Sequence, residues 1–202
     1  APTASAQEIG ATFSIDEDQN GQGYRIKGTD RHGKSKNGTL AELFVATPNA
    51  GGTPLRAYCN ELEVNFHKTN NAYAAKWDKF PGDNNFKTSA KAREKINWIA
   101  ANSYPAVDYE IVLQKVGATK EQVSVKSMIA QTQAAIWHLG SDFKYEGLTE
   151  GTAVEQANAK KVYDYLISDE HNTGRAESTT VDVQVGFEGE KDAKRQPNGT
   201  YG

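Results

Sequence analysis

The spacing of apolar residues changes period near Phe66 and returns to two only near Val181, and the first switch most constrains the fold. Ahead of it the period is two. Phe13 and Ile15 share one face of Ala11–Ile15, and Gly23–Lys27 is a second short alternating run. Leu40–Thr47 is strongly apolar and ends in Pro48-Asn49-Ala50-Gly51-Gly52-Thr53-Pro54, whose residue types make a turn. The chain returns as Leu55–Leu62, so the two runs read as a hairpin with Leu55, Ala57 and Cys59 on one face. Asp16–Gly23 and Asp30–Gly38 are polar and Gly-bearing and read as loops.

Beyond Phe66 the pattern is helical. Asn70–Lys87 first reads as a long loop holding Tyr73, Trp77, Phe80 and Phe86. Ser89–Asn102 carries Ala92, Ile96, Ile99 and Ala100 at helical spacing, and Ser103-Tyr104-Pro105 ends it. Val107–Val116 follows, closed by Gly117. Thr119 and Gln122 have capping-box spacing and open a third helix that runs to Gly140, with Met128, Ile129, Thr132, Ala135, Ile136 and Leu139 on one face. Gln133 and Trp137 sit together on one shoulder of that face, and Gln131 on the other. Thr152 and Glu155 make a second capping box, opening a fourth helix through about Ile167. Val181, Val183 and Val185 then alternate with Asp182 and Gln184 as a final strand. The order predicts one α+β domain over residues 1–202. Its β-sandwich or barrel-like framework, about 1–66 and 178–202, holds a four-helix insert at about 67–177.

Composition removes several function classes. Basic residues are scattered among acids and the net charge is −3, which is no nucleic-acid footprint. No apolar run is long enough to span a membrane. Glycines stand in turns without a phosphate-loop context, so no nucleotide cofactor is expected, and nothing asks for more than a monomer. The small, polar start Ala1-Pro2-Thr3-Ala4-Ser5-Ala6 reads like the beginning of a mature exported protein. The histidines, His32, His67, His138 and His171, lack ligand spacing, so no metal site is expected.

Chemistry therefore centres on Cys59, the only cysteine. It has no internal disulfide partner. Taken alone it reads as a small buried hydrophobe. A Cys–His nucleophile would need His67, His138 or His171 beside it in space. A third possibility is an internal thioester, formed when a thiol displaces ammonia from a glutamine side chain. The product is an electrophile that an amine opens to a stable amide. Water destroys it, so it needs an apolar, shielded place, and Tyr58 and Trp137 are the aromatics placed to give one.

Tyr58-Cys59, followed by Thr132-Gln133-Ala134-Ala135-Ile136-Trp137, resembles the thioester domain of Gram-positive surface adhesins, in particular its actinobacterial branch. The Thr-Gln-x-Ala motif is matched in full. The resemblance implies an exported, wall-anchored protein that couples once, without turnover, to an amine such as lysine on a host or neighbouring cell. It also implies site-lining roles for Tyr58, Thr132 and Trp137. Streptococcal members carry the acyl glutamine in a further motif near the domain end, which no stretch here fits fully. Val183-Gln184-Val185-Gly186-Phe187 fits until Glu188, and Gln196 fits by position only. Gln133, Gln184 and Gln196 thus stand as alternative acyl donors. The competing function is a non-covalent protein- or glycan-binding module using the aromatic stretch Tyr73–Phe86, with Cys59 a buried free thiol; a Cys–His hydrolase or transferase is the third.

Overall fold

The computed structural model describes residues 12–62, 69–75, 82–175 and 184–187. They form a mixed α+β fold with two antiparallel sheets that stay open. The strands are β1 (Thr12–Gln22), β2 (Ile26–Thr29), β3 (Ser35–Thr39), β4 (Glu42–Pro48), β5 (Leu55–Ala57), β6 (Thr69–Ala75), β7 (Lys144–Leu148) and β8 (Gln184–Phe187). The helices are α1 (Ala90–Asn102), α2 (Tyr109–Val116), α3 (Val125–Ser141), α4 (Ala153–Ala157) and α5 (Lys161–Ile167). The larger sheet runs β5-β4-β1-β6-β8 and the smaller β3-β2-β7.

The hairpin expected from residue types forms, with Phe44 opposite Ala57 and Ala46 opposite Leu55. Its second strand is shorter than the alternation suggested. β5 ends at Ala57, so Cys59 lies in the irregular stretch just beyond it. β1 is longer than expected. It continues through the acidic segment as far as Gln22, with a register break after Glu17 where it pairs with β4. Two strands occupy the interval read as loop and helix. β6 pairs with β1, and β7 pairs with β2. Neither shows a strong apolar alternation; each is made a strand by partners distant in sequence.

The third helix starts later than its first capping signal. Thr119 and Gln122 do exchange the expected bonds, Gln122 N to Thr119 Oγ1 at 3.2 Å and Thr119 N to Gln122 Oε1 at 3.1 Å. They close only a turn. Ser124 is the cap of α3, its hydroxyl accepting from Ser127 N at 3.2 Å. The Thr152–Glu155 capping box is complete in both directions. The helix it opens breaks at Asn158–Lys160 and resumes as α5.

α3 is the axis of the fold. It packs on α1, α5, β7, β1 and β4 and is buried on every side from Ser127 through Trp137. Two glycines allow this. A Cβ on Gly23 would meet Ala41 O at 2.7 Å and the Ile129 side chain at 2.9 Å, so the β1–β2 link presses directly on the helix. A Cβ on Gly140 would meet Ile96 and Phe86, each at 3.3 Å, and Asn60 O at 3.5 Å. Gly140 therefore does not stop the helix as its residue type suggested. It lets the segment carrying Cys59 lie against the last turn, which ends one residue later at Ser141 before left-handed Asp142.

Candidate functional site: the Cys59 segment on helix α3

Residues 58–62 have no strand partner, so their backbone groups must be satisfied otherwise. Gln133 does this for Cys59. Its Oε1 accepts from Cys59 N at 3.0 Å, and its Nε2 donates to Cys59 O at 2.7 Å. The two bonds copy a strand pairing, with one amide side chain in place of a neighbouring strand. Gln133 is 0% exposed, so both of its polar atoms work where water cannot replace them. The Cys59 thiol donates to Glu61 O at 3.0 Å, and Cys59 itself is half-buried.

The neighbours fix the segment further. Tyr58 is buried and its hydroxyl donates to Tyr104 O at 2.7 Å, just after the C-terminus of α1. Burial pushes the phenol far above its ordinary pKa, so it remains a neutral donor. Thr132, beside Gln133, donates to Met128 O at 2.8 Å and lies 2.9 Å from Ser103 Oγ, which joins α3 to the cap of α1. Arg56 ion-pairs with Asp18, donates to Tyr104 Oη at 3.1 Å and stacks over the Tyr104 ring at 5.3 Å. Burial opposes its charge, but the bonds to Tyr104 and Asp18 outweigh that and raise its pKa. Trp137 is buried edge-on to Phe143, and its buried Nε1–H has no hydrogen-bond acceptor among the described residues.

Gln131 was expected only on the opposite shoulder of the helix. It turns out to be a second buried clamp: its Oε1 accepts from Val162 N at 2.7 Å and Tyr163 N at 3.1 Å, and its Nε2 donates to Ser127 Oγ at 2.9 Å. The two glutamines on either side of Thr132 thus tie α3 to the Cys59 segment and to the start of α5.

A family model for the thioester domain matches residues 56–172. This chain belongs to the thioester-domain family. No curated protein and no solved structure matches it. The match begins at Arg56, spans Cys59 and the Thr-Gln helix, and ends at Asn172, whose buried side chain donates to Lys95 O and Leu166 O.

Of the three glutamines that sequence reading offers this thioester domain, the structure brings Gln133 to Cys59. The backbone of Gln184 is opposite Ala75, whereas Ala57 is opposite Phe44 at the other edge of the sheet. Four strand spacings, roughly 19 Å, separate those edges. The register also puts them at opposite ends of the strands, because β1 reaches β6 through Thr12–Ile15 and β4 through Glu17 at the Ala57 level. Gln196 lies outside the described residues.

The histidines serve other contacts. His138 is 3.3 Å from Phe143 O and edge-on to Tyr163, and His171 stacks on Tyr165 at 4.3 Å. His67 lies outside the described residues, as does Trp77 of the aromatic stretch. Phe86 of that stretch is a core residue at 0% exposure, so it presents no recognition surface. Among the described residues no helix is long and apolar enough to cross a membrane.

Proposed function

We propose that Cys59 is the acyl-bearing residue of a single-use covalent adhesive module. Gln133 holds its backbone, and the acyl group comes from a glutamine on the chain beyond the helices, Gln196 rather than Gln184, whose backbone stands at the far edge of the larger sheet. The carrying observation is the pair of bonds between the Gln133 amide and the Cys59 backbone. Both depend on an intact amide. If Gln133 were the acyl donor, its nitrogen would leave as ammonia and the part-buried Cys59 O would lose its donor, at a cost of about 1–3 kcal/mol.

In the forming step Cys59 Sγ attacks the donor's amide carbon. The thiol proton passes to the departing nitrogen, which leaves as ammonia. In the second step a target amine attacks the same carbonyl, Sγ leaves and is reprotonated, and a stable amide remains. No step regenerates the electrophile, so each molecule acts once. A lysine on a surface protein of a host or neighbouring cell is the natural nucleophile, and the domain works outside the cell, displayed on the surface as an adhesin. Supporting this reading are the family membership, the lone cysteine and the hydrogen bond that holds its thiol on Glu61 O.

Methylamine labelling followed by peptide sequencing by mass spectrometry tests the assignment. The expected result is N-methylation of a glutamine beyond residue 175, with Gln133 unmodified. A methylated Gln133 overturns the clamp role, and no incorporation at any glutamine overturns the thioester reading.

A further inference from the structure

A cleft of about 440 Å³ opens where β5, the Cys59 segment and α1 meet. Tyr58 and Asn60, the residues on either side of Cys59, both line it. Cys59 itself is not among the lining residues, but its Cα is about 3.8 Å from each of theirs, so the acyl position lies within the reach of a lysine side chain held in the cleft. Ala100 and Ile136 give it apolar walls, and Arg56 and Arg175 are its charged members. Among the described residues no acidic one lines it. The charge of Arg56 is already met by Asp18. Arg175 is exposed, its backbone N–H is fixed to Glu94 O at 2.9 Å, and its guanidinium has no ion pair among the described residues. An apolar cleft with one uncompensated cation suits a partly apolar peptide carrying a carboxylate.

We propose that this cleft reads the polypeptide bearing the reacting lysine and selects one with aspartate or glutamate within a few residues of it. The inference rests on the thioester reading and adds the substrate's chemical class to it. A fully extended chain spans about 3.3–3.6 Å per residue, so a carboxylate two or three residues from the lysine lies within the length of such a cleft.

The test uses two peptides with the same central lysine and apolar flanks, one with aspartate two residues away and one with asparagine there. Adduct formation is followed by intact mass, with methylamine as a small amine that needs only the acyl–sulfur bond. The unsubstituted domain is expected to couple the acidic peptide about fivefold faster, the size of one partly exposed ion pair. Arg175→Ala equalises the two peptides, Arg175→Glu reverses the preference, and methylamine uptake is the same in all three proteins. Equal rates with both peptides in the unsubstituted domain, alongside normal methylamine uptake, overturn the cleft assignment and leave the thioester standing. Failure of methylamine as well overturns both.

Discussion

Replacing Gln133 by alanine tests the clamp as a matter of stability. The comparison is made in the Cys59→Ala background, where no acyl–sulfur bond can contribute. Cys59→Ala leaves the backbone N–H and C=O of residue 59 in place, so the two bonds from Gln133 persist. Adding Gln133→Ala removes both at once, at a site that is 0% exposed. Each stranded backbone group costs about 1–3 kcal/mol, so the pair costs about 2–6 kcal/mol. For a chain of this size that lowers the melting temperature by roughly 4–24 °C. Gln133→Glu keeps an acceptor for residue 59 N–H, but while ionised it sets a buried charge against the residue 59 carbonyl, so it costs at least as much as alanine. Urea melts of the three proteins, read by tryptophan fluorescence, give the values. An added loss below about 0.5 kcal/mol for Gln133→Ala, the ordinary range of a surface change, refutes the clamp.

Three more predictions follow from the same geometry. Thr132→Val removes the hydroxyl that joins α3 to Ser103 and should cost about 1–3 kcal/mol by denaturant melt while leaving the helix content by circular dichroism unchanged. Trp137→Phe deletes the buried, unbonded Nε1–H and should cost under about 1.5 kcal/mol, against about 3–5 kcal/mol for Trp137→Ala, measured the same way. Asp169 is ion-paired with mostly buried Lys95, and that bond holds its carboxyl below the usual carboxylate range. A depressed folded pKa stabilises above the unfolded value of about 4 and is lost as pH falls through the folded one. Asp169→Asn should therefore lower stability at neutral pH and shallow the acid limb of a melting-temperature profile.

Much of the helical half was legible in the sequence because its signals are local. Ser89 caps α1 where the pattern starts, and the Thr152–Glu155 box works as spaced. The apolar face of α3 was correctly placed, with Met128, Ile129, Ala135 and Ile136 all buried. Helical period could not show that the other sides of α3 are buried too. Gln131 and Gln133 read as shoulder residues because their compensation comes from backbone groups some 30 to 74 residues away. The strands were harder. β7, Lys144–Leu148, is a strand because β2 pairs with it from more than a hundred residues upstream, a relation that no local pattern carries. Cys59 stood out by being alone, and the resemblance paired it with Gln133. That the pairing runs through the backbone of Cys59, with the thiol turned to Glu61 O, is a fact of the fold.

The central claim is that Cys59 carries an acyl group, and the intact mass of the purified domain tests it most directly. The account predicts a mass below that of the sequence by one ammonia, restored to the full value in Cys59→Ala and raised by methylamine addition in the unsubstituted protein alone. A freshly purified domain at the full sequence mass, unchanged by methylamine, would contradict it.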